Sequence, residues 1–261
     1  MASEQSKTDS SSSSSSRHIV NVGVFIPTQC QLLDAASVDI MGSLSHEYLR
    51  AALQSVPAAA FEQAPSVRIH YIGSVAAGEP IPLSANQRIV ATHRYSDAEV
   101  APGQLDVVLV PGPDPNGVFP EGAVAWLRAQ GTTPGVDVLS VCTGIFLCAE
   151  AGLIKGRSVC GPRGFQDQIR ERGYGEKALL GHKLRWIQDG NFWSSGGVTN
   201  GNDLVAAYVR STPRHFPKKF ADIACELCEV GDRPQEYTNE FTLQDIVNSL
   251  SGDATAAGVA V

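Results

Sequence analysis

The chain has no apolar run near the roughly 18 residues that a membrane-spanning helix needs. It also lacks an excess of positive charge: 20 Lys and Arg stand against 27 Asp and Glu, a formal net charge of −7. Neutralising phosphates takes a basic face, so neither a nucleic acid nor an anionic membrane surface is expected as partner. The phosphate-cradling patterns G-x-G-x-x-G and G-x-x-x-x-G-K-[ST] are missing, which removes the usual sign of a nucleotide cofactor. The six histidines contain no H-x-x-x-H pair, so no metal site is expected. Cysteines are too few and scattered for a disulfide framework (Cys30, Cys142, Cys148, Cys160, Cys225 and Cys228). Cys225-x-x-Cys228 has no second pair and falls in a late helical segment, which argues against zinc. The N-terminus has no apolar stretch of the kind a secretory signal carries. Residues 1–18, with serine from Ser10 to Ser16, read as a disordered tail. The expected location is the cytoplasm, with reduced thiols.

What is present is a globular balance, 43% hydrophobic and 18% charged, over 261 residues, enough for a sizeable core. Apolar, β-branched segments alternate with helical ones. His18–Ile26, Val67–Gly73, Arg88–Thr92, Leu105–Gly112, Val136–Val141 and Gly156–Gly161 read as strands. Leu32–Gln54 reads as one helix with Asp34 as an acidic cap near its start. Further helices are expected at Glu121–Gly131, closed by its glycine, at Thr143–Gly152, at Asn200–Arg210, capped by Asn or Gly, and at Pro217–Val230. Lys183–Gly197 reads as a hairpin turning at Asp189-Gly190, with Trp186 and Trp193 as core or dimer contacts. Such alternation means an α/β sandwich with a mostly parallel sheet. It is expected over residues 19–235, with 236–261 a C-terminal extension.

In open α/β sheets, ligands bind at the carboxyl ends of the strands. Two turns therefore stand out: PGPDPNG after Val110, and VCTG after the strand that starts at Val136. In the second, Cys142 ends an apolar strand and a helix begins at once, the pattern of a nucleophile elbow. A thiol there lies at a helix N-terminus, which favours the thiolate. The amides of Thr143 and Gly144 would be free to hold a developing negative charge. An ordinary buried strand cysteine is the plain alternative.

SVCTG, the AEAGLIKG that follows, and SSGGVTNGNDLVAAY resemble the ThiJ/PfpI (DJ-one) superfamily. The opening VGVFIPTQCQLLDAASVDIMGSL and the PGPDPNG turn resemble it too, so the likeness runs over residues 19–210. The resemblance implies a flavodoxin-like fold of the class I glutamine amidotransferase type. The pattern is most like the isonitrile hydratase-like group. Carried over residue by residue, Cys142 is the nucleophile, Asp34 the acid that works beside it, and Thr143 a contributor through its amide and hydroxyl. A carboxyl beside a thiolate is a like-charge pair, so the pair would share a proton and the acid would titrate high. Gly112, Asp114 and Gly144 are then expected to bind substrate or an oxyanion. Two departures stand out. Pro113, which has no N–H, takes the second glycine of the family's turn, leaving Asp114 as a replacement donor. SVCGPRGF carries no histidine where many members have one, and its Arg163 reads as surface charge.

The resemblance implies a cofactor-free cysteine lyase that hydrates an isonitrile to an N-substituted formamide, in secondary metabolism, acting as a homodimer. The alternatives are a glyoxalase or deglycase acting on 2-oxoaldehydes through a hemithioacetal, and a non-catalytic oxidation sensor or chaperone-like dimer.

Overall fold

A computed structural model describes residues 17–239, 241 and 243–251. The serine run lies outside them. The strands are β1 (Ile19–Ile26), β2 (Ser66–Gly73), β3 (Pro80–Pro82), β4 (Arg88–Val90), β5 (His93–Arg94), β6 (Val107–Val110), β7 (Asp137–Ser140), β8 (Ser158–Val159), β9 (Ala178–Leu179), β10 (Trp186–Asp189) and β11 (Phe192–Ser195). The helices are α1 (Leu32–Ala36), α2 (Asp39–Gly42), α3 (His46–Ala52), α4 (Glu121–Thr132), α5 (Gly144–Glu150), α6 (Gln166–Glu171), α7 (Asn200–Ser211), α8 (Lys218–Leu227) and α9 (Leu243–Ser251). Seven strands form one sheet in the order β10-β11-β7-β6-β1-β2-β5. Every pairing in it is parallel except β10 with β11.

β6 and β7 are buried along their whole length, and β1 from Val22 to Ile26, as a sheet covered on both faces requires. One core cluster joins Val22, Val24, Leu109 and Leu139 to Leu204, Tyr208 and Phe220 of α7 and α8. The other joins Phe25, Val108 and Val138 to Leu127 of α4 and Phe146 of α5. Trp193 is a core residue, stacked on Trp186 and edge-on to Tyr208. No described helix is long and apolar enough to cross a membrane.

Several expectations need correction. The segment expected as one helix from Leu32 is three short helices. The Ser37 hydroxyl donates to the Asp34 carbonyl (2.8 Å), and the Ser45 hydroxyl starts a new helix by accepting the Tyr48 N–H (3.1 Å). Serines that bond to nearby backbone compete with the helix ladder. Arg88–Val90 pairs only with β3, as a separate ribbon, and Ser158–Val159 only with β9. The hairpin turns through Gly190-Asn191, one residue later than expected, since Asp189 still pairs with Phe192. Gly131 lies inside α4, and Thr199, whose side chain makes no capping bond to the helix, precedes α7. Arg17 and His18 belong to the domain rather than the tail. The Arg17 guanidinium donates to the Glu62 and Ala64 carbonyls, and the His18 carbonyl accepts the Ser66 N–H.

Candidate active site

Chain direction brings the site together. β7 and β6 run in parallel, so both end on the same edge of the sheet, and the turns after them meet there. The Val141 N–H donates to the Val110 carbonyl (2.9 Å). The chain then bends into α5 at Cys142, whose φ is +58°. That left-handed conformation costs a non-glycine residue of the order of 1–3 kcal/mol. It is held by the Cys142 N–H, which donates to the Gly196 carbonyl (3.2 Å). Gly144 is needed because a Cβ there would lie 2.2 Å from the Val110 carbonyl oxygen.

Asp34 arrives from β1. The loop after Ile26 crosses the end of β6, where the Gln31 N–H donates to the Gly112 carbonyl (2.9 Å). One turn of α1 then buries Asp34 completely. Its Oδ2 accepts the Gly112 N–H (3.1 Å). Its carboxyl faces the Cys142 thiol closely enough for each to perturb the other. Oδ1 is buried without a well-formed hydrogen bond. Gly112 separates acid from elbow: a Cβ there would meet Asp34 Oδ2 and Thr143 Oγ1, both at 2.5 Å.

The electrostatics follow from burial. Loss of water around Asp34 pushes its pKa from 3.8 up to about 7, and the Gly112 N–H and the Cys142 thiol pull back only part of that. Burial, then the Asp34 charge, pushes the Cys142 thiol up to about 12. The N–H groups of Val198 and Thr143, beside the sulfur, oppose this. The resting pair near neutral pH is thus a thiol beside a carboxyl poised to exchange its proton. The expected thiolate is not the resting form, because a short helix cannot repay desolvation of the sulfur.

Other expectations change at the atomic level. Asp34 does not cap its helix; its carboxyl serves the Gly112 amide instead. That amide is therefore occupied and offers no open oxyanion donor. The Gly144 amide is not free either, since it donates to the Val141 carbonyl (2.9 Å). The Thr143 hydroxyl donates to the Pro113 carbonyl (2.7 Å) and ties the two turns together. Asp114 is exposed, and its Oδ1 accepts the Asn116 N–H within its own turn. Among the described residues, no hydrogen bond joins Asp114 to Asp34 or Cys142. Arg163 is no loose surface charge; it stacks over the Tyr237 ring at 4.2 Å. Sequence reasoning missed Val198. Its φ is +43°, and its amide lies close enough to the sulfur to lower the thiol pKa. The signal was there in SSGGVTNG, a glycine turn between strand and helix.

Fold and site define an α/β protein with a strand–cysteine–helix elbow and a buried acid beside the sulfur. The chain belongs to the DJ-1/PfpI family, whose sequence profile matches residues 47–211. Cys142, Thr143, Gly144, Gly112 and Asp114 lie inside that match, and Asp34 precedes it. The chain is 29% identical to isonitrile hydratase from Pseudomonas putida over 145 residues, which is 54% of this chain and 58% of that protein. A ThiJ/PfpI family protein from Pseudomonas syringae has TM-score 0.60 and 18% identity, covering 84% of this chain and 77% of its own. An AraC family transcriptional regulator from Pseudomonas putida has TM-score 0.60 and 14% identity, covering 80% and 99%. These two solved structures establish the flavodoxin-like fold alone; one fold hosts many functions.

Proposed function

We propose that the protein hydrates an isonitrile to an N-substituted formamide, with Cys142 as nucleophile and Asp34 as the proton carrier. The observation that carries this reading is the buried Asp34–Cys142 pair. An acid pushed to about 7 beside a thiol can take the thiol proton and return it near neutral pH. The Asp34 carboxylate accepts the proton of Cys142, and the sulfur attacks the terminal isonitrile carbon. Asp34 gives that proton to the carbon, which leaves a thioimidate, R–N=CH–S–Cys142. A water then gives a proton to Asp34 and its hydroxyl to the carbon. Asp34 protonates the nitrogen, the C–S bond breaks with sulfur as the leaving group, and the sulfur takes the hydroxyl proton while the oxygen stays on carbon as the formyl oxygen. The sum is R–NC + H2O → R–NH–CHO.

Access supports the same substrate class. Cys142 is only 7% exposed, which suits a slender, linear end group. The balance needs no cofactor. The likeness to a relative named isonitrile hydratase adds to the reading, although the match spans 58% of that relative's length. We propose on the earlier resemblance that the working unit is a homodimer; light scattering that reads a single chain mass rejects this. The activity is tested by incubating the protein with an alkyl or aryl isonitrile and following formamide by mass spectrometry. Turnover by the wild type that disappears in Cys142→Ala is expected. No turnover by wild type, or equal turnover by the variant, rejects the reading.

A further inference from the structure

Beyond the family match, which ends at residue 211, the chain returns to the elbow. Residues 233–239 form a strap along the segment that enters β10. The Arg185 N–H donates to the Gln235 carbonyl (2.8 Å), the Gln235 amide to the Trp186 carbonyl (2.8 Å), and the Tyr237 N–H to the Lys183 carbonyl (2.9 Å). The strap is anchored to α7, where the Arg233 guanidinium bonds both carboxylate oxygens of Asp203 and the Thr199 carbonyl.

Its side chain of consequence is Tyr237. The ring lies between two guanidiniums, Arg163 at 4.2 Å and Arg185 at 4.5 Å. The hydroxyl accepts the Asn200 Nδ2 hydrogen at 2.7 Å. It also presses on Gly196, where a Cβ would come within 2.8 Å of the phenolic oxygen. Gly196 is the residue whose carbonyl holds the Cys142 N–H, and its own N–H donates to the Arg185 carbonyl (2.8 Å). Two residues on, the Val198 amide lies beside the Cys142 sulfur and favours its charged form. The turn from Gly196 to Asn200 thus meets Cys142 on one side and Tyr237 on the other. Val198 adopts its unfavourable φ of +43°, so something must hold this turn in place.

We infer that Tyr237 is a positioning residue for Cys142: it braces the 196–200 turn so that the Gly196 carbonyl keeps the Cys142 N–H and the Val198 amide stays beside the sulfur. The inference rests on Cys142 being the reacting group. When the sulfur sheds its proton, the interaction with the Val198 N–H strengthens, as donors to developing charge do.

The test is Tyr237→Phe, which keeps the ring between its guanidiniums and removes only the hydroxyl. Alkylation of Cys142 by iodoacetamide is followed by peptide mass spectrometry from about pH 7 to pH 10, with the half-buried Cys228, which follows α8 and touches the Ser43 hydroxyl, as internal reference. The expected result is slower alkylation of Cys142 by about fivefold, the worth of one ordinary hydrogen bond, with Cys228 unchanged. Turnover, where measured, loses kcat by a similar factor at constant KM. An unchanged or faster rate at Cys142, or a change shared by Cys228, overturns the inference. Because alkylation needs no isonitrile, a wild type that fails to make formamide counts against the proposed reaction and leaves this measurement standing.

Discussion

Asp34→Asn separates the chemistry of the acid from its effect on the fold. The side chain is fully buried, and burial raises its pKa from 3.8 to about 7. A raised carboxyl pKa means that the folded state binds a proton over a range where the unfolded chain has released it. Stability therefore declines as pH rises from about 4 to about 7, and the full cost applies above that. At about 1.36 kcal/mol per pH unit, the cost above pH 7 is about 4 kcal/mol. Asparagine removes the charge and keeps an acceptor for the Gly112 N–H. Its new N–H2 gains no assured partner, which returns about 1–2 kcal/mol. The net gain is about 2–3 kcal/mol, or roughly 5–10 °C in melting temperature for a domain of this size. Thermal melts of wild type and variant from about pH 4 to pH 8.5 read this directly. The variant is expected to be the more stable above pH 7, with the gap closing on acidification. Its turnover is expected to fall by about 10²–10⁴, the usual worth of a positioned proton carrier. A variant that is less stable than wild type at about pH 8.5, or a gap that widens as pH falls, refutes the idea of a buried, costly carboxylate.

Two further outcomes follow from the same geometry. Because Asp34 must begin as the base, kcat/KM for isonitrile is expected to fall below about pH 7 with unit slope. It should show no descending limb before about pH 10, since the thiol titrates near 12; a flat profile from about pH 5 to pH 8 counts against Asp34. Gly112→Ala places a methyl 2.5 Å from both Asp34 Oδ2 and Thr143 Oγ1. Overpacking of this kind costs about 1–3 kcal/mol, so calorimetry should record a lower melting temperature together with lost turnover, and wild-type values for both would contradict the packing described.

The sequence by itself determined the layered α/β plan, because strands buried on both faces must be apolar along their length, as Val107–Val110 is. It also determined the elbow. Cys142-Thr143-Gly144 after an apolar strand is a local pattern, and Gly144 is demanded by one short approach to Val110. The acid was legible as a residue and not as an environment. Asp34 lies 108 positions before Cys142, and only the parallel order of β1, β6 and β7 sets the two face to face. The direction of the thiol's pKa depended on that burial, which no short motif contains. The same holds for the amides: spacing cannot say that the Gly112 N–H is taken by Asp34, that of Gly144 by Val141, or that Val198 supplies the donor. The Gly144 bond is a local turn, but the contacts of Asp34 with Gly112 and of Val198 with Cys142 are long-range, decided when groups remote in sequence meet in a closed interior. The strap follows the same rule, since Tyr237 reaches Gly196 only because Arg163, Arg185 and Arg233 fix its path across the finished fold.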